Sequence, residues 1–145
     1  MTMPGNEHSV HVAVGVICRH GLLLVTQRAD EKPYGGYWEL PGGKVENNES
    51  AEEALCRELA EELGISVKNF EPLEVLKHNY KDSGLLAVLH FFKVTAFEGE
   101  PCGKENQNLR WIEPKDVPEL DFLPADRALL NRLFPENGQS KLCEQ

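Results

Sequence analysis

The chain is short of positive charge. Fifteen Lys and Arg stand against twenty-four Asp and Glu in 145 residues, a formal net charge of −9. That balance argues against a binder of polymeric nucleic acid, whose affinity comes chiefly from Lys and Arg on phosphates. It still admits a single nucleotide delivered with its own metal ion. Four cysteines (Cys18, Cys56, Cys102 and Cys143) show neither C-x-x-C spacing nor a zinc-like pairing. Reduced thiols and a cytoplasmic location are the expectation. No apolar run is long enough to cross a bilayer, so no membrane partner is expected. The first residues lack the basic stretch and apolar run of a signal peptide. Repeats, low-complexity tracts and linkers are missing too, which leaves one domain over 1–145, with 1–7 and 136–145 flexible. What is present is ordinary for a globular protein, 41% apolar and 27% charged, at a length that supports a core.

The most informative stretch runs from Gly43 to Ile65. Ser50 with Glu53 three residues on is a capping box, which satisfies two free N–H groups at a helix start. Ala51, Ala54, Leu55 and Leu59 recur at helical spacing. Gly64 stands where a left-handed C-terminal cap belongs. The spacing predicts a helix over Ala51 to Leu63.

Glu58, Glu61 and Glu62 stand at i, i+3 and i+4 of that helix, so their carboxylates share a face and repel by about 0.2–0.5 kcal/mol per pair. They also crowd the half where the helix dipole favours cations. Stability alone would not choose this. A solvated acidic face and a set of oxygen ligands for a hard divalent cation are both open on the helix alone.

The fixed residues of the longer stretch go further. Gly43, Glu49, Arg57-Glu58-Leu59, Glu61-Glu62 and Gly64-Ile65 fill all nine fixed positions of the Nudix box in one register. The chain therefore resembles the Nudix hydrolases, MutT-type members in particular, from about Val10 to Phe134. The resemblance implies an α/β/α sandwich built on a mixed sheet. It also implies Mg²⁺-dependent cleavage, with Mn²⁺ as a substitute, of a nucleoside diphosphate linked to another moiety. It assigns Gly42, Glu58, Glu61, Glu62 and Glu105 to metal. Arg57 orients the glutamates, and Glu58 or Glu49 serves as general base. Arg28, Lys44, Leu40 and Asp126 fall where the family meets substrate, the first two near phosphate and Asp126 at the base. Without the resemblance Arg28 and Lys44 read as solvated charges, Glu105 as an anonymous loop acid and Asp126 as a helix-start charge favoured by the dipole. Arg57 would simply pair with Glu53 or Glu61.

The remaining elements suit an α/β protein. Ser9 to Cys18 and Leu22 to Gln27 read as a hairpin around Arg19-His20-Gly21, with Arg28 ending the second strand. Trp38-Glu39-Leu40 reads as a short strand, and Pro33, Gly35 and Gly36 make the loop before it irregular. Leu73 to Tyr80 and Leu85 to Phe97 read as strands joined by a turn at Lys81-Asp82-Ser83-Gly84. The second is apolar enough to lie inside the sheet. After a polar loop from Glu98 to Asn108, Arg110 to Glu113 reads as a strand, Pro114 to Val117 as a turn, and the chain closes with a helix from Pro124. The histidines His8, His11 and His20 show no joint metal spacing; His78 and His90 read as packing residues.

On substrate, the resemblance points to oxidised purine triphosphates such as 8-oxo-dGTP, cleaved to monophosphate and pyrophosphate. Two residues depart from the archetype: Asp126 replaces an asparagine, and Leu85 an arginine. Pyrimidine triphosphates such as CTP or 5-methyl-dCTP are the alternative, because an ionised carboxylate only accepts. A non-catalytic nucleotide-binding domain is the third reading, and the intact box speaks against it. A monomer or weak homodimer is expected.

Overall fold

The computed structural model describes residues 9–80 and 84–134. The expected flexible termini and the turn residues Lys81 to Ser83 lie outside it. In chain order come β1 (Ser9–Arg19), β2 (Leu22–Gln27), β3 (Trp38–Glu39), β4 (Gly42–Lys44) and α1 (Ala51–Leu63). β5 (Ser66–Tyr80), β6 (Leu85–Glu98), β7 (Leu109–Ile112), a 3₁₀ helix (Pro114–Glu119) and α2 (Pro124–Leu133) come after them. The sheet order is β3-β2-β1-β6-β5, with β4 added to β1 and β7 to β2. β1 and β6 run parallel and the other pairs antiparallel, so the sheet is mixed.

Alternation along β1 builds the sandwich. Val14 and Val16 face one apolar cluster with Leu129 and Leu130 of α2. Ala13 and Ile17 face the other with Leu55 and Leu59 of α1. The α1 leucines are fully buried, and each contributes on the order of 1.5–3 kcal/mol. β6 lies between β1 and β5, inside the sheet as its composition required. The β1–β2 turn puts His20 at φ 54° and Gly21 at φ 77°, the pair of positive angles that lets a two-residue turn match strand twist.

Several boundaries differ from expectation. β5 begins at Ser66 rather than Leu73, because it is an edge strand and edges tolerate Pro72, polar residues and bulges. β2 ends at Gln27 as expected, with Arg28 directly after it, while β1 runs on to Arg19 and β6 to Glu98. β7 runs one residue earlier, Leu109–Ile112. Cys56 and Cys102 are free thiols as expected, whereas Cys18 is disulfide-bonded. No helix among the described residues is long and apolar enough to cross a membrane.

β4 is pressed against β1. A Cβ on Gly42 would lie 2.1 Å from the Ala13 carbonyl oxygen, a backbone atom that cannot step aside. Gly42→Ala should cost about 2–4 kcal/mol, read as a lower Tm by circular dichroism. An unchanged Tm would mean that this close approach does not hold β4 in place.

Candidate active site

The capping box and the left-handed Gly64 (φ 75°) fix both ends of α1, and with them the direction in which its acids point. Arg57 is the centre of the acidic cluster. Its Nε donates to Glu49 (2.7 Å), Nη2 to Glu49 (3.0 Å) and to the Lys44 carbonyl (2.9 Å), and Nη1 to Glu58 (2.9 Å) and Glu61 (3.2 Å). Glu53 is absent from this set because it closes the capping box on Ser50. The repulsion expected along α1 is thus offset by one guanidinium. Arg57 has its own pKa raised, first by Glu49 and against burial, then by Glu58 and Glu61. Glu49 also accepts from the Glu46 N–H (2.9 Å). The Arg57 and Glu46 hydrogen bonds hold its carboxyl at about 2.

Glu62 is in a different state. It is buried, and its carboxylate accepts from the Gly42 N–H at 3.3 Å. Burial, then the charge of Glu39, push it up to about 8, with Glu105 and Glu58 adding to the rise. Glu105 itself is exposed. Its loop is tied to the end of α1 by Lys104 N–H (3.1 Å) and the Gln107 side chain (3.1 Å), both donating to the Glu62 carbonyl. Glu58 lies against Gly43, where a Cβ would fall 2.2 Å from its carboxyl carbon. Only glycine permits that approach.

Chemically the donor set suits a hard divalent cation, since all its members are oxygens and Glu62 sits amid excess negative charge. Among the described residues no three such groups converge to chelate an ion as they stand. Glu58 and Glu61 turn toward Arg57 instead, and Glu58 does so through one oxygen, which leaves the other for a cation.

On the other face of the sheet a cavity of about 270 Å³ opens, floored by Val14, Leu89 and Leu123 and walled by Arg28, Tyr80 and Asp126. Lys44 lines it too, as do Gly42 and Gly43. The cavity and the acidic cluster therefore share the β4 backbone. Asp126 reaches it because the start of α2 is sewn to β3. Trp38 N–H donates to the Asp121 carbonyl (2.7 Å), and Leu123 N–H to that of Trp38 (3.0 Å). The Asp126 carboxyl then accepts from the Leu40 N–H at 3.1 Å. It does not act as a helix cap. Only one of its oxygens is used, and among the described residues no buried side-chain polar atom lacks a partner, so the other opens into the cavity that Asp126 lines. Burial raises its pKa to about 7; the Leu40 N–H opposes this and the charge of Glu39 adds to it.

Glu39 carries no signal in the sequence, being a lone acid in a two-residue strand. It pairs with Arg28 at 3.3 Å, and its charge raises both Glu62 and Asp126. Arg28 is held further by the Pro33 carbonyl at 2.9 Å. The expected site residues thus fall into two adjoining groups: Glu49, Arg57, Glu58, Glu61, Glu62 and Glu105 about α1, and Arg28, Leu40, Lys44 and Asp126 about the cavity. Gly42 belongs to both.

The family model of the NUDIX domain matches residues 9–133. The chain belongs to the Nudix family. An 8-oxo-dGTP diphosphatase of Proteus vulgaris is 42% identical over 69% of this chain and 88% of its own length. A CTP pyrophosphohydrolase of Escherichia coli is 39% identical over 83% and 88%. The crystal structure of a MutT Nudix hydrolase from Burkholderia pseudomallei superposes with a TM-score of 0.78 at 33% identity, covering 86% of this chain and 98% of that one. The α/β/α sandwich is thus a single Nudix-fold domain, and the chain is a Nudix hydrolase.

An aspartate that keeps its proton in the fold to about pH 7 but loses it near pH 4 when unfolded disfavours the folded state as pH rises between those values. Below that window both states are protonated and the penalty is absent; above it the penalty is complete. The Tm of Asp126→Asn relative to the parent should therefore rise between pH 4 and pH 8. A difference independent of pH would show that Asp126 is already ionised in the fold.

Proposed function

We propose that the chain hydrolyses nucleoside triphosphates to monophosphate and pyrophosphate, with oxidised purine deoxynucleotides such as 8-oxo-dGTP as substrate and Mg²⁺ as metal, Mn²⁺ substituting. One observation carries this reading. A base-sized cavity with a carboxylate at its wall ends at Gly42-Gly43, and the α1 glutamates stand on the far side of the same backbone. A nucleotide whose base fills the cavity lays its phosphates over β4, toward those glutamates. The 8-oxo-dGTP diphosphatases among its relatives support the substrate class.

Glu58, Glu62 and the Gly42 carbonyl are the assigned metal ligands, with Glu61 and Glu105 completing the set. These oxygens would hold a divalent cation, which would supply charge neutralisation of the polyphosphate and activation of water. Arg57 holds Glu49 through two hydrogen bonds and orients Glu58 through one. Glu58 is assigned as the base in preference to Glu49. Both Glu49 oxygens are taken by N–H donors, and a carboxylate with a pKa near 2 is a weak base. Arg28 and Lys44 face the phosphates, and Asp126 with the Leu40 main chain faces the base. The substrate is a free nucleotide of the cytoplasmic pool, no nucleic acid polymer is engaged, and the working unit is a monomer or weak homodimer.

Asp126 favours one competing reading. When ionised, its open oxygen only accepts, which suits the amino group of cytosine as well as the N1–H and N2–H₂ of guanine. The deciding experiment ranks 8-oxo-dGTP, dGTP, CTP and 5-methyl-dCTP by kcat/KM with Mg²⁺ in ¹⁸O-water. The expected result is 8-oxo-dGTP first, with label in pyrophosphate from attack on the β-phosphorus. Cytosine nucleotides first would transfer the assignment to CTP-type substrates. Label in the monophosphate would overturn the route of attack, and no hydrolysis at all would leave a nucleotide-binding domain.

Glu58→Gln should lower kcat by about 10²-fold or more, the usual worth of a general base. Its Tm without metal should not rise, because the lost carboxylate is paired with Arg57. Full activity in this variant would remove Glu58 from the chemistry.

A further inference from the structure

Two of the large apolar side chains that the described structure leaves exposed, Tyr34 and Tyr37, stand three residues apart in the β2–β3 loop. Their rings meet edge to face, centroids 5.4 Å apart at 71°. The loop that carries them is ordered by its own hydrogen bonds. Arg28 N–H donates to the Tyr37 carbonyl (2.9 Å), Gly36 N–H to that of Arg28 (3.1 Å), and Tyr37 N–H to that of Tyr34 (3.0 Å). The Gln27 side chain clamps the Gly36 carbonyl (3.0 Å). Within this frame Tyr34 adopts φ 60°, a left-handed conformation that a bulky side chain disfavours. An exposed aromatic ring held in a disfavoured backbone gains nothing for the core.

The loop is fastened to the base cavity. Arg28, in the cavity wall, donates through Nε to the carbonyl of Pro33, the residue before Tyr34. Tyr34 follows Pro33 directly, so this bond sets it beside the wall that Arg28 and Tyr80 form. We propose that Tyr34, braced edge-on by Tyr37, stacks on the nucleobase of the bound nucleotide at this mouth. The base then lies between an aromatic face outside and the apolar floor of Val14, Leu89 and Leu123 within. Every base has a π-face, so this contact supplies affinity for nucleobases in general, and more for the larger purines, while Asp126 discriminates by hydrogen bonding. The inference rests on the nucleotide reading above.

The test has two arms. In hydrolysis, Tyr34→Gly should raise KM about tenfold without lowering Tm, since glycine accepts the backbone angle, and Tyr34→Phe should keep the parent's KM. In binding, Tyr34→Trp should show indole fluorescence quenched by a purine nucleoside monophosphate, more than the parent does, and not by inorganic pyrophosphate. Hydrolysis with an unchanged KM in Tyr34→Gly, or no added quenching in Tyr34→Trp, overturns the role of Tyr34. Quenching in a chain that hydrolyses no triphosphate overturns the enzymatic reading and leaves the stacking intact.

Discussion

Five carboxylates crowd one end of one helix and the loops beside it, and a single guanidinium makes that tolerable. Arg57 binds three of them and the Lys44 carbonyl at once, which ties the loop carrying Glu49, strand β4 and helix α1 into one unit. Partly buried charge pairs gain more than surface ones, and a planar fork with five donors loses little entropy for each bond it makes. A lysine, with its compact ammonium, could not span the same partners. Glu62 lies out of Arg57's reach and lacks that neutralisation, so it is a buried carboxyl that retains its proton past neutrality.

Glycine sets the distances in this unit. Gly43 lets Glu58 lie on the backbone, and Gly42 lets that backbone lie on β1. The acidic cluster and the cavity are therefore separated by no more than the thickness of a strand. A polyphosphate needs just such a short path between the group that reads its base and the groups that act on its phosphorus.

Where local chemistry encoded structure, the sequence could be read to the residue. Ser50, Glu53 and Gly64 delimit α1 as expected, because caps act through neighbours a few positions away. The box glutamates share a face because helical spacing dictates it, and Asp126 lines the cavity. Elsewhere the determinants are distant in sequence. Glu39 matters only because folding brings Arg28, Glu62 and Asp126 around it. Arg57 chooses Glu49 over Glu53 because Glu53 is spent on the cap. β5 starts seven residues early because its polar stretch lies on an edge, which periodicity does not reveal. His11 and His90, with no spacing to link them, meet across the parallel β1–β6 pair and share a hydrogen bond at 2.9 Å.

The two halves of the site are completed at different points along the chain. The acids about α1 and the Gly42-Gly43 backbone are complete by Glu105, whereas the carboxylate of the cavity arrives with Asp126, carried in by the pairing of residues 121–123 with Trp38. During synthesis the charged cluster is therefore laid down first, and the cavity gains its Asp126 carboxyl only with the last helix. A nascent chain halted before Phe122 holds every acid of that cluster and a cavity that still lacks the carboxyl of Asp126.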